Sequence, residues 1–167
     1  MFVQELHGAD DFQDGRLLDE VYDFWNRQDK QAIWLRFGCF RLPKREDYEK
    51  IFRRSMMVLF VRDETGILIG YSEGCRCMDN ERHVELGLAV DKGYRRNGVA
   101  FEMVMRMCRE CSCQGIEKAE AYIMPENLTM TALVKKIMEK LPVRLKFEDG
   151  SFHALIDPTK TAVPIPS

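Results

Sequence analysis

The sequence lacks long apolar runs and lacks a strong excess of either charge. No apolar stretch approaches the ~20 residues that a membrane-spanning helix requires. The first residues, MFVQELHGADD, do not join a basic start to an apolar stretch, so no signal peptide is expected. The formal net charge is -2 at pH 7, whereas general nucleic-acid binders are usually clearly basic. We therefore expect a protein that contacts neither membrane nor nucleic acid.

Repeats, low-complexity segments and internal linkers are also lacking. A chain of 167 residues is long enough for one hydrophobic core and short for two domains. We predict a single domain over residues 1–157, followed by a tail over residues 158–167. The three prolines of DPTKTAVPIPS are expected to prevent regular structure in that tail.

The six cysteines do not have the spacing of a disulfide framework, and a chain of this size does not need one. We expect reduced thiols and a cytoplasmic location. A zinc site built from Cys75, Cys77, Cys108 and Cys111 is conceivable if a strand and a helix bring them together. Buried free cysteine is the commoner outcome, so no metal is expected.

Hydrophobic periodicity predicts an α+β fold. Residues 13–27 form a helical pattern with one apolar face, which comprises Leu17, Leu18, Val21, Tyr22 and Trp25. QAIWLRFGCF is rich enough in aromatic residues for a strand or an extended segment, and LPKREDYEKIFRR is helical. Three extended runs follow, joined at DETG and DNER, so a meander of antiparallel strands is expected. A helix from about Gly98 to Cys113, the strand EKAEAYIM, the helix NLTMTALVKKIMEK and two short strands complete a mixed sheet with helices on its faces.

The segment RRNGVA lies where the last strand of the meander gives way to a helix. A helix N-terminus carries unpaired N–H groups and a partial positive charge, and both favour a phosphate. Gly98 would let a ligand approach the backbone, and Arg95 or Arg96 would add a charge with a forked donor. The alternative is a basic loop whose glycine serves only the backbone conformation. The segment has no Gly-Lys-Ser/Thr, so it is not a P-loop. The antiparallel strands before it exclude a Rossmann turn.

RRNGVA resembles the Q/R-x-x-G-x-G/A signature of the GNAT acetyltransferase superfamily, with Arg95, Gly98 and Ala100 at the defined positions. The preceding ELGLAV and the later PENLTMTALVKKI are similar to that family's next two landmarks, and the element order agrees. The chain looks closest to the acetyltransferase domain of Pat-type protein lysine acetyltransferases. WLRF, LPKREDYEKIF and the PEN-x-x-M start of the last helix carry that likeness.

The resemblance implies a mainly antiparallel central sheet with helices on both faces, and acetyl-CoA as cosubstrate. The cofactor's pyrophosphate would be held by the turn residues Arg95, Arg96, Asn97, Gly98, Val99 and Ala100. Its pantetheine arm would pair with the strand edge formed by Leu88, Ala89 and Val90. Gly87 suits a bulge or a close backbone approach that opens the sheet. Asn127 would touch the cofactor; its alternative role is a helix N-cap.

Acetyl transfer to an amine requires a neutral amine, so a general base is expected. Strand alternation places Glu85, Gly87 and Ala89 on one face. We predict Glu85 as the base, which is the role implied by the matching glutamate of the Pat-like proteins. Glu73 and His83 are the alternatives, and an exposed structural glutamate is the other interpretation of Glu85.

One position departs from the family pattern. Many GNAT enzymes carry a tyrosine in the last helix that protonates the leaving thiolate, and Val134 stands there in this chain. The main hypothesis is an N-acetyltransferase that acts by direct attack of a protein lysine or small-molecule amine, with a monomer and a homodimer both open. The second hypothesis is an acyl-CoA-binding sensor of the same fold with little turnover.

Overall fold

The computed structural model describes residues 2–161, in which seven strands form one sheet. The order across the sheet is β1-β2-β3-β4-β5-β7-β6. Neighbouring strands are antiparallel except β4 and β5, which are parallel. The strand bounds are β1 Val3–His7, β2 Ser55–Arg62, β3 Leu68–Arg76, β4 His83–Val90, β5 Lys118–Ile123, β6 Val143–Glu148 and β7 Ser151–Ile156.

Five α-helices cover this sheet on both faces, which confirms the predicted fold class. They are α1 Arg16–Asn26, α2 Lys30–Phe37, α3 Arg45–Arg54, α4 Val99–Cys113 and α5 Leu128–Met138. Alternation along β2 divides the core, because Val58 and Phe60 pack with α1 and α3 whereas Met57 and Leu59 pack with α4. The helix α5 lies on the α4 face, where its Ile137 joins the same cluster.

Two elements differ from the sequence prediction. QAIWLRFGCF was expected to be extended, but most of it belongs to α2. The Asp29 side chain caps this helix by accepting a hydrogen bond from the Ala32 amide at 2.8 Å, and Gly38 ends it with a φ of 70°. The pattern also gave no strand before α1, whereas Val3–His7 pairs with β2 along the edge of the sheet.

The proline-containing tail begins with a structured turn. Residues Pro158–Thr161 form a 3-10 turn that packs against α4, and both end residues are buried. The expectation of irregular structure is therefore wrong for this part, because proline is tolerated at the start of a helical turn. The rest of the predicted tail lies outside the described residues, and the domain boundary at residue 157 stays a prediction.

Within residues 2–161, no helix combines the length and the apolar character that crossing a membrane requires.

Candidate active site

The sheet opens between β4 and β5. These two strands pair only from His83 to Glu85, against Lys118 to Glu120. Beyond that point β4 continues to Val90 beside β3 alone, and β5 continues to Ile123 beside β7. The divergence leaves one edge of β4 free to pair with another extended chain.

A cavity of about 540 Å³ lies at this opening. Its walls come from the end of β4, the turn before α4, the start of α5 and the α1–α2 region. The predicted cofactor residues that line it are Leu88, Ala89, Val90, Arg95, Arg96, Gly98, Val99, Ala100 and Asn127. Asn97 does not line it. The cavity is also lined by residues that the sequence did not predict at the site, among them Trp25, Gln28, Arg36, Phe101 and Lys136.

The turn before α4 presents backbone amides to the cavity. Gly98 is the N-cap of α4 and has a φ of 82°, and Arg96 also adopts the left-handed conformation, with a φ of 65°. No atom lies within 4 Å of the place that a Gly98 Cβ would occupy, so its backbone conformation rather than crowding favours glycine here. The Arg95 Nε donates to the Val90 carbonyl at 3.1 Å and ties the turn to β4. The first amides of α4 have no helical partner, and free amides at a helix N-terminus favour anions.

Asn127 is the N-cap of α5, and its predicted contact with the cofactor stays a prediction. Its Oδ1 accepts a hydrogen bond from the Met130 amide at 3.1 Å, so it caps α5. It also lines the cavity opposite the turn. The N-termini of α4 and α5 therefore both face this space, and each adds a partial positive charge to it. Lys136 lies on the same wall, with its Nζ 4.7 Å from the centre of the Phe101 ring.

Gly87 lies under an ion pair between the buried carboxylate of Glu73 and the partly exposed guanidinium of Arg36. The register between β3 and β4 runs without interruption from Gly70↔Val90 to Arg76↔Val84, so the bulge considered for Gly87 is not present. The close approach is made by side chains instead. A Cβ on Gly87 would overlap the carboxylate of Glu73 and the guanidinium of Arg36, which form an ion pair directly above it. Arg36 comes from α2 and lines the cavity.

Glu85 lies on the face of the sheet that alternation predicted, where the opening begins. Its neighbours across the strands are Cys75 on β3 and Glu120 on β5. Its side chain is exposed rather than surrounded by apolar groups, and it does not line the cavity. Glu73, the second candidate for the base, is buried and forms an ion pair with Arg36.

His83, the third candidate, is part of a separate network. Its Nδ1 contacts Glu120, and the other Glu120 oxygen lies 3.0 Å from Nε2 of His153. The Nδ1 of His153 lies 2.7 Å from Glu148. These carboxylates hold the His83 ring on the open face of the sheet, away from the cavity walls.

Three of the cysteines hold their thiols protonated at neutral pH. Burial, with Glu120 and Glu85 nearby, raises the pKa of Cys77 to about 11. Burial also raises the pKa of Cys108 and of Cys111 to about 12, and both thiols belong to the core. Across the part of the chain that the structure describes, no group of three or more histidine, cysteine or acidic side chains could hold a metal ion.

Residues 18–139 match the model of the acetyltransferase (GNAT) family. The chain belongs to this family. The match confirms the resemblance drawn from RRNGVA and the predicted enzyme class. Val134, which replaces the tyrosine of many GNAT enzymes, packs against Ile123 and Ala154 and is buried in the core under α5.

Solved GNAT structures share the fold of this chain. The GNAT domain of S. lividans PAT has a TM-score of 0.73 at 17% identity, with 92% of this chain and 89% of that chain covered. Diaminobutyrate acetyltransferase EctA from Paenibacillus lautus, solved with its substrate and coenzyme A, has a TM-score of 0.65 at 19% identity, with 99% of each chain covered. A phosphinothricin acetyltransferase from Sinorhizobium meliloti, solved with acetyl-CoA, has a TM-score of 0.67 at 15% identity, with 93% and 86% covered.

Proposed function

We propose that this GNAT protein transfers the acetyl group of acetyl-CoA to a primary amine by direct attack, with Glu85 as general base. The observation that carries the proposal is the single cavity at the β4–β5 opening. The free edge of β4, the anion-binding turn and the start of α5 all meet there.

The cavity suits acetyl-CoA in both shape and charge. The pyrophosphate would accept hydrogen bonds from the amides of Arg95 to Ala100, between the two helix N-termini. Arg96 and Lys136 would add positive charge. The pantetheine arm would lie along Leu88 to Val90 as an added strand, which directs the thioester toward the start of the opening. The coenzyme A and acetyl-CoA complexes of the two relatives above support this assignment.

The chemistry then requires the loss of two protons from the acceptor nitrogen and one bond exchange. Glu85 takes a proton from the acceptor ammonium group, and the neutral nitrogen attacks the thioester carbon. A backbone N–H on the free edge of β4 would stabilise the charge that develops on the thioester oxygen. The C–S bond breaks, the thiolate of coenzyme A leaves, and the nitrogen loses its second proton to water. Because Val134 cannot donate a proton, water protonates the thiolate or it departs as the anion.

The acceptor would approach Glu85 from the open face of the sheet. The helices α1, α2 and α3 belong to the half of the sheet around β2 and β3, and Glu85 is exposed beyond them. A protein lysine or a small-molecule amine fits this access. The resemblance of WLRF, LPKREDYEKIF and PEN-x-x-M to Pat-type protein lysine acetyltransferases supports a protein lysine.

Calorimetric titration of the purified protein with acetyl-CoA tests the cofactor assignment. Desulfo-CoA and ATP serve as parallel ligands, since only ATP lacks the pantetheine arm. We expect micromolar binding of acetyl-CoA and desulfo-CoA and no binding of ATP. If none of the three binds, the proposed function is wrong and RRNGVA is a structural turn.

Replacing Glu85 by Gln tests the base. We expect kcat to fall by about 10²-fold or more, the usual contribution of a general base, with acetyl-CoA affinity unchanged. Acetylated product is measured by mass spectrometry with an amine found in a screen of lysine peptides, polyamines and amino acids. Glu81→Gln, in the exposed β3–β4 turn, is the matched control.

The sensor hypothesis predicts a different result in the same assay. Wild type and Glu85→Gln would both bind acetyl-CoA, and neither would acetylate any amine of the screen. Val134 is the observation that favours this second candidate, because a residue that many catalytic relatives use is absent. Measurable turnover by the wild type would exclude it.

A further inference from the structure

Gln28 connects the α1–α2 region to the end of β4. It follows α1, and its side chain is only 9% exposed although it lines the cavity. Its Nε2 donates two hydrogen bonds, one to the Phe24 carbonyl at 3.1 Å and one to Oδ2 of Asp91 at 3.0 Å. Asp91 directly follows Val90, so this amide group is fixed beside the end of the strand edge that would bind the pantetheine arm.

The orientation of the Gln28 amide group is determined by its partners. A carbonyl and a carboxylate can only accept hydrogen bonds, so the NH2 group must face them. The oxygen, Oε1, therefore points the other way. It is buried and has no hydrogen-bond partner in the protein. Leaving a buried acceptor unpaired costs about 1–3 kcal/mol, which indicates that a donor from outside the chain completes this position.

We propose that Gln28 Oε1 accepts a hydrogen bond from an amide N–H of the pantetheine arm. This inference rests on the proposed function, because the arm belongs to acetyl-CoA. The arm carries two secondary amides, and a chain lying along Leu88 to Val90 would pass between that strand edge and Gln28. The cavity would then hold the arm from two sides, through backbone groups of β4 and through one side chain after α1.

The position of Gln28 favours the cofactor arm over the acceptor amine as the donor. Gln28 is bonded to Asp91, at the turn end of β4. Glu85, where the acceptor would react, lies five residues before Val90 on the same strand. At about 3.4 Å per residue this separation is about 17 Å. The amine group that reacts at Glu85 is therefore out of reach of Gln28.

Ligands with and without the arm separate this contact from a general effect on the site. We would titrate wild type and Gln28→Leu with coenzyme A, acetyl-CoA and adenosine 3′,5′-bisphosphate, which lacks pantetheine, and measure the last ligand by competition. Gln28→Leu should bind coenzyme A and acetyl-CoA about three- to tenfold more weakly, the contribution of one neutral hydrogen bond. Its affinity for adenosine 3′,5′-bisphosphate should stay within about twofold.

Three other results would overturn the inference. Equal losses for both classes of ligand would mean that Gln28 only shapes the turn through Asp91. Unchanged affinity for all ligands would mean that it makes no contact. Unchanged cofactor affinity with a raised KM for the amine would assign Oε1 to the acceptor. Failure of the wild type to bind acetyl-CoA would instead overturn the proposed function itself.

A measurement on the wild type keeps the test independent of how well the variant folds. The side-chain carbonyl carbon of Gln28 can be followed by NMR in isotope-labelled protein. Its resonance should shift when coenzyme A is added and stay in place when adenosine 3′,5′-bisphosphate is added. A shift of equal size with both ligands would contradict contact with the arm.

Discussion

Gly87 is the residue of β4 whose missing side chain decides the local arrangement of charges. Glu73 lies opposite it on β3, and Arg36 reaches over it from α2. Removing the Glu73 carboxylate from water is costly, and buried ion pairs are often no more stabilising than apolar residues of the same size. A pair of this kind beside the cavity is therefore better explained by the site than by stability. It keeps the Arg36 side chain on the cavity wall.

Replacing Gly87 by Ala should lower the free energy of unfolding by about 1–3 kcal/mol, because the new methyl group overlaps the ion pair in a packed interior. Urea unfolding measures the change. Gly8→Ala is the matched control, since its Cβ would meet nothing within 4 Å; its effect should stay within about 0.5 kcal/mol. Equal stability of the two variants would mean that Arg36 and Glu73 move aside freely.

The sequence predicts features that depend on neighbouring residues. It does not predict contacts between residues that are far apart along the chain. Alternation in a strand is local, so the shared face of Glu85, Gly87 and Ala89 was predictable. The turn at Gly98 was also predictable from a short motif. The pairing of Arg36 with Glu73 and that of Gln28 with Asp91 were not, because each joins residues far apart in sequence that only the folded chain brings together.

The sequence pattern predicted helices α4 and α5 but not α2, because α2 is short and buries few residues. The eight residues of α2 bury only Ile33, so they carry no clear apolar stripe. The signals that could have identified this helix are its ends, Asp29 as N-cap and Gly38 after the last turn. The strand β1 was missed because five residues at an edge of the sheet give too short an alternation.

The substitution Asn127→Asp at the start of α5 distinguishes helix capping from cofactor binding. Asn127→Asp keeps an oxygen for the Met130 amide and places a negative charge at a helix N-terminus, so thermal stability should not fall. The same charge repels the cofactor phosphates, and acetyl-CoA affinity should drop by roughly tenfold, less at high salt.

Asn127→Ala is the companion variant for this test. It removes the cap and should cost about 1 kcal/mol of stability. If Asn127→Asp binds acetyl-CoA as tightly as the wild type at low salt, Asn127 acts as a cap alone and its predicted cofactor contact is wrong.

One of the core clusters joins the two parts of the sheet on either side of the opening. The strands β1 to β4 and the strands β5 to β7 meet only along three residue pairs between β4 and β5. The core cluster under α4 spans this junction, because it includes Met57 and Val84 on one side and Ala119 and Ile156 on the other. The opening is therefore held by helix packing rather than by the sheet ladder, and a ligand strand can enter without breaking core contacts.

Amide hydrogen exchange tests whether the pantetheine arm lies along the free edge of β4. Among the described residues, β4 beyond Glu85 pairs with β3 alone, so its amides on the β5 side are free to exchange. Acetyl-CoA should slow exchange at Leu88 to Val90 and in the turn up to Ala100. Adenosine 3′,5′-bisphosphate should slow exchange in the turn only. The residues Val58 to Val61 of β2, which pair with strands on both sides, should not change. Uniform slowing that includes β2 would indicate global stabilisation, and protection of the turn alone by acetyl-CoA would show that the arm does not lie along β4.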